Sequence, residues 1–175
     1  MNQKVLNPNY KLNLIRLFVF DFALITFIYF IPTLSHVTSI PFYMLEPMRV
    51  AIVFCIIYTN RKNSLIIALT LPIFSFIISA HPVFYKSLLV APELFINISL
   101  FYEISKRLKN IFIVMVISIM SAKIFYYLAK YIFLNISLIS GDLIATSIWI
   151  QFLIAILLSL YAAIVLKKNE HLKLS

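Results

Sequence analysis

Glu46, Arg49, His81, Lys86, Glu93 and Lys123 each interrupt an otherwise apolar stretch of the chain. Side chains of these types can exchange protons, pair with one another or grip a charged ligand. Their spacing links several of them. Lys86, Glu93 and Asn97 are separated by seven and then four residues, which a helix places on one face. At 1.5 Å per residue, Glu93 lies about 10 Å along the axis from Lys86. Lys123, Tyr126 or Tyr127, and Lys130 share a face by the same rule. No HExxH, GxSxG, phosphate-cradling glycine loop or Cys/His metal spacing accompanies them, and Gly141 is the only glycine. A His and a Glu can do acid–base work, but no nucleophile stands at a recognisable spacing. The set therefore points to binding without a cofactor or metal, not to an enzyme.

The elements that must carry these residues are read from composition. The chain has 175 residues, 63% of them hydrophobic and 12% charged, with a mean hydropathy of +1.01. Soluble domains are nearer half apolar and a quarter charged. The chain reads as one all-α domain over 1–175, a bundle of six transmembrane helices, with spans predicted at 14–32, 47–58, 65–78, 87–105, 111–134 and 143–166. The first apolar run is too long for a cleaved signal segment. The second and third spans are short of the ~20 residues a crossing needs. Pro72 interrupts the third, so a re-entrant hairpin is an alternative for this pair. Cys55, the single cysteine, has no internal disulfide partner and reads as a small packing residue.

The formal net charge of +9 is distributed by topology. Lys4 and Lys11 precede the first span, Arg61 and Lys62 separate the second from the third, Lys106, Arg107 and Lys109 separate the fourth from the fifth, and Lys167, Lys168 and Lys173 follow the sixth. All fall on one side of a six-span chain, which puts both termini in the cytoplasm and the basic loops against anionic lipid heads. No basic–aromatic interleaving indicates a nucleic-acid groove.

Lys123 falls about 18 Å along its helix from Ile111, near the midplane, where its stem cannot snorkel to water. Glu93 is the deepest acid available, and a Glu93–Lys123 pair between the fourth and fifth helices is predicted. Interhelical pairs of this kind, like Glu46 with Arg49, can be simple structural glue. Clustering of the set on the outer half of three spans favours instead an outward-facing polar cavity that holds a small ligand. Glu46, Arg49, His81, Lys86, Glu93, Asn97, Lys123 and Tyr127 are its candidate lining. Mixed charge suits a polar or zwitterionic ligand, with stacking from Phe42, Tyr43 or Tyr127. Four residues take plainer readings: Arg16 snorkels, Asp21 pairs with a cation of the cytoplasmic loops, Glu103 is a surface partner of the "SKRLK" loop, and His36 is solvated. The glycosylation pattern "NIS" at Asn97 is a chance match inside a span.

The run "PTLSH…PFYMLEPMR…TNRKN…LPIFSFIISAHPVFYKSLLVAPELFIN…SAKIFYYLAK", from about Pro32 to Lys130, resembles the substrate-binding S components of energy-coupling factor (ECF) transporters. The resemblance implies a membrane-embedded binder of a vitamin or similar micronutrient in the bacterial cytoplasmic membrane. Residues 33–46 would then form a lid over a ligand near the outer face. A transmembrane T component and ATPase subunits would be its partners, supplying the motor this chain lacks. The family's alanine-x-x-x-alanine docking motif is not kept, since Ala23 is followed at that spacing by Phe27. Ala51/Cys55 and Ser75/Ser79 are small pairs of that spacing elsewhere. The alternative is a structural scaffold subunit of the MreD type, in which the polar residues pair off with no cavity between them and no small ligand binds.

Overall fold

A computed structural model describes residues 8–79 and 83–174. Six α-helices and one short 3-10 helix make up the described residues, with no strand among them. They are α1 (Pro8–Thr38), the 3-10 helix (Phe42–Leu45), α2 (Pro47–Tyr58), α3 (Arg61–Ser79), α4 (Phe84–Ile104), α5 (Ile111–Asn135) and α6 (Ile148–Leu174). Five of the six α-helices carry stretches long and apolar enough to cross a membrane: Leu14–Thr38, Arg61–Ile78, Phe84–Ile104, Ile111–Asn135 and Ile148–Lys167. The chain is a multi-pass helical membrane protein. Its outward surface is apolar, with Phe18, Phe22, Ile124, Trp149 and Leu153 all exposed where lipid tails would meet them.

The helix not among those five, α2, is the best covered. Its 12 residues extend only about 18 Å at 1.5 Å per residue. Ala51, Ile52, Val53 and Cys55 are fully buried. α2 packs against α1, α3, α4 and α6, so it forms the centre of the bundle while the longer helices surround it. Short helices at membrane depth are tolerated where protein covers them, and α2 meets that condition. Small residues let the surrounding backbones approach: Ala68 on α3 and Ala155 and Ala162 on α6 are fully buried, as are Ser64 and Ser159.

Among the described residues the backbones of α1 and α6 do not approach each other closely; the 3-10 helix bridges them at one end. α1 was predicted to stop at Pro32 but continues to Thr38. Proline removes only one backbone donor, and the extra turns are held by side chains. Thr38 Oγ1 donates to the Leu34 carbonyl at 2.7 Å and Ser35 Oγ accepts from Phe42 N–H at 3.2 Å. Ser39 then turns the chain with a left-handed φ of 57°. The 3-10 helix leads to Glu46, also left-handed at φ 52°, and Pro47 opens α2. A non-glycine residue in this region is uncommon and marks a tightly determined turn. Proline at the first helical position fits because its missing N–H has no intrahelical partner there.

At the other end, Asn60 Oδ1 accepts from Asn63 N–H at 3.0 Å to start α3, and Asn110 Oδ1 accepts from Ile113 N–H at 3.3 Å to start α5. α3 begins at Arg61, not Leu65, and runs through the buried Pro72. The sixth predicted span, 143–166, is corrected at its start: residues 143–147 are not helical and α6 begins at Ile148. Side chains from within the bundle bind the carbonyls of this segment, as described below. Asp21 is also corrected. It accepts from Asn63 Nδ2 at 2.7 Å, an amide instead of a loop cation. Glu103 does pair with Lys106, at 2.8 Å on the surface. Arg16 is exposed.

Because α2 is interior and α6 faces outward, truncation should discriminate between them. Ile52→Ala is expected to cost about 2–5 kcal/mol, the range for truncating a packed core residue. Leu153→Ala, on the exposed face of α6, should cost well under half of that. Reversible unfolding of the purified protein in mixed micelles measures both.

Candidate functional site

Helix direction brings the polar residues together. The C-terminal parts of α1, α3 and α5 and the N-terminal parts of α2, α4 and α6 meet at one end of the bundle, where they enclose a cavity of about 230 Å³. The connections rich in cations, around Arg61 and Lys62 and around Lys106 and Arg107, lie at the opposite end.

Arg49, in the first turn of α2, is the centre of the site and is 3% exposed. Its Nε donates to Glu46 Oε2 at 2.6 Å. Its Nη2 donates to Glu93 Oε1 of α4. Glu46 accepts a second cation, Lys123 Nζ of α5, on Oε1. Glu93, Arg49, Glu46 and Lys123 thus form a chain of alternating charge across α4, α2 and α5. Alternation is what makes four charges tolerable in a low-dielectric interior, since each faces an opposite one within hydrogen-bonding reach.

α6 extends the network with a neutral group. Gln151 Oε1 accepts from Lys123 Nζ at 2.8 Å and from the Tyr127 hydroxyl at 2.7 Å. Its Nε2 donates to the Thr146 carbonyl at 2.7 Å. Lys130, 5% exposed, donates to the Asp142 and Leu143 carbonyls at 2.8 and 2.9 Å. These contacts explain the late start of α6, because carbonyls of the segment before it are bound by side chains of α5 and by Gln151.

One guanidinium nitrogen is left over. Arg49 Nη1 is buried with no hydrogen-bond partner, and Arg49 lines the cavity. The rest of the wall is mainly apolar or aromatic, from Ile28, Ile31 and Pro32 of α1, Val90 and Leu94 of α4, Tyr126 and Tyr127 of α5, and Tyr43 of the 3-10 helix, with Ser75 of α3 and Thr146 as polar members. The guanidinium thus stands in the wall of a small, largely apolar chamber with its Nη1 closed off from it.

Five of the eight candidate residues line this cavity: Glu46, Arg49, Glu93, Lys123 and Tyr127. Two do not. Lys86 is part-exposed in the first turn of α4, two turns away from Glu93. Asn97 is fully buried one turn beyond Glu93, outside the lining, with both side-chain polar atoms unpartnered. His81 lies outside the described residues. The predicted Glu93–Lys123 pair is corrected too: Glu93 takes Arg49, and Lys123 takes Glu46 and Gln151. Arg49 is on the central helix and so stands nearer to α4 than the depth of Lys123 on α5 indicates. Gln151 was missed. Its signal was present, as the one amide side chain in the run 143–166.

No family model, curated protein or solved structure matches the chain.

A double-mutant cycle separates the observed pairing from the predicted one. Arg49→Gln or Glu93→Gln alone is expected to destabilise the protein by about 3–5 kcal/mol, because each strands a buried charge. The double variant should lose markedly less than the sum. A Glu93/Lys123 cycle should show a much smaller interaction term, in the same unfolding measurement.

Proposed function

We propose that the chain is a membrane-embedded binding subunit for a vitamin or a comparably small micronutrient. In this reading it serves uptake across a bacterial cytoplasmic membrane as an S component of the ECF type. The observation that carries the reading is the cavity at the end of the bundle away from the basic connections, lined by Glu46, Arg49, Glu93 and Lys123. A cavity of about 230 Å³ is below the ~300–1,000 Å³ of drug-sized sites, which fits a small metabolite. In this reading the chain binds its ligand and does not transform it.

The positive-inside rule orients the bundle: basic connections and both termini in the cytoplasm, the cavity toward the outside, with α2 as a short sixth crossing inside its neighbours. Residues 39–46, which bridge α1 and α6 above the cavity, then form the lid; residues 33–38 belong to α1 instead. Energy would come from a transmembrane T component and ATPase subunits, since the chain has no phosphate-binding loop. The scaffold reading has one observation in its favour, the mutual pairing of Glu93, Arg49, Glu46 and Lys123. The residual cavity weighs against it.

A thermal-shift screen of the purified protein against a vitamin panel tests the reading. A true ligand at a hundredfold excess over its Kd should add about 2.7 kcal/mol of stability. A flat response across the panel supports the scaffold alternative.

A further inference from the structure

We propose that the cavity is one half of an elongated site, and that a groove beside it, between the C-terminal end of α1 and the 3-10 helix, is the other half. The ligand is then a two-part molecule, with a polar head against the ion network and an uncharged, mainly apolar body in the groove. This inference rests on the binding reading above and adds the shape of its ligand.

One helix face lines both halves. Ile28, Ile31 and Pro32 of α1 stand in the wall of the cavity, and Ile31, Pro32, Ser35 and His36 in the wall of the groove. Their spacing of three, one, three and one places all five on one side of the helix. At 1.5 Å per residue that wall runs about 12 Å from Ile28 to His36. Tyr43 of the 3-10 helix also belongs to both linings, so the two spaces adjoin at Tyr43, Ile31 and Pro32. The groove measures about 350 Å³ and the cavity about 230 Å³. Together they come within the ~300–1,000 Å³ of sites for drug-sized ligands, which the cavity alone does not reach.

The two halves differ in chemistry. All four members of the ion network line the cavity. Among the described residues, no Asp, Glu, Lys or Arg lines the groove. Ile40 and Tyr43 are half exposed there, and a ligand body that covers them removes apolar surface from water. Ser35, His36 and Ser39 lie among these apolar groups, a lining that suits a ring or short chain with polar substituents better than a lipid tail. A head of either charge meets an opposite one in the network, so both signs enter the test.

The test uses the full-length purified chain in mixed micelles and two probe series matched in length. One is benzoate, phenylpropionate and phenylbutyrate; the other is benzylamine, phenylpropylamine and phenylbutylamine. Apparent Kd values come from thermal unfolding at neutral pH. In at least one series the longest probe is expected to bind roughly tenfold more tightly than the shortest. Ile40→Trp and His36→Trp each fill the groove at residues that do not line the cavity. Each should raise the Kd of the longest probe about fivefold or more and leave that of the shortest within about twofold. Partitioning of long probes into micelles is the same for variant and wild type, and either variant suffices if the other does not fold. Affinity independent of length, or a length gain that survives in the folded variants, would overturn the proposal and leave the binding reading intact. Where only a member of the vitamin panel stabilises, an unchanged Kd for it in the variants overturns the proposal and a loss supports it. Silence of every probe and every vitamin would overturn both.

Discussion

A guanidinium inside an apolar helical bundle is stable only when carboxylates meet it, and the bundle depends on how Arg49 meets its two. Glu93 reaches it from α4 and Glu46 from the turn that begins α2. Glu46 passes the constraint to Lys123 of α5, and Lys123 passes it to Gln151 of α6. One buried side chain thus ties four helices at a fixed level. Removing either carboxylate strands a charge whose desolvation the remaining partner cannot offset. The arrangement also restricts the backbone. Glu46 adopts a left-handed conformation that non-glycine residues rarely hold, immediately before a proline. That turn places the carboxylate within reach of both Arg49 and Lys123.

The second constraint is the length of α2. A 12-residue helix in a bundle of longer ones needs protein on its sides, and the small residues of α3 and α6 provide close packing there. Because α2 starts below the end of α1, residues 39–46 must descend from Thr38 to Glu46, and that descent bridges α1 to α6. The same geometry leaves a chamber between the strap and the ion network. Fold and cavity are consequences of one choice, a short charged helix held at the centre.

Much of this was legible in the sequence. Hydrophobic run lengths and Pro47 placed α2 at its observed bounds, and those of α5 nearly so. Interruption by charge identified Glu46, Arg49, Glu93 and Lys123, because such residues are rare in spans. Three things were not legible. The exchange of partners between Glu93 and Lys123 depends on which helix is central, and hydropathy does not encode that. The continuation of α1 through Pro32 depends on Ser35 and Thr38, whose backbone contacts are invisible to a propensity argument. The unwound start of α6 depends on Lys130 and Gln151 binding carbonyls that a run of apolar residues does not reveal.

We infer that the cavity faces outward and that its lining, with Arg49, Lys123 and Lys130 against Glu46 and Glu93, is net positive. Thr146 lines that cavity and Cys55 is fully buried, so Cys55→Ser/Thr146→Cys gives one reporter thiol. Its labelling in intact cells by membrane-impermeant thiosulfonates of equal size and opposite charge tests the claim directly. The expected result is reaction from outside, several-fold faster with the anionic reagent than with the cationic one. A thiol that reacts only from the cytoplasmic side, or faster with the cation, would contradict the account.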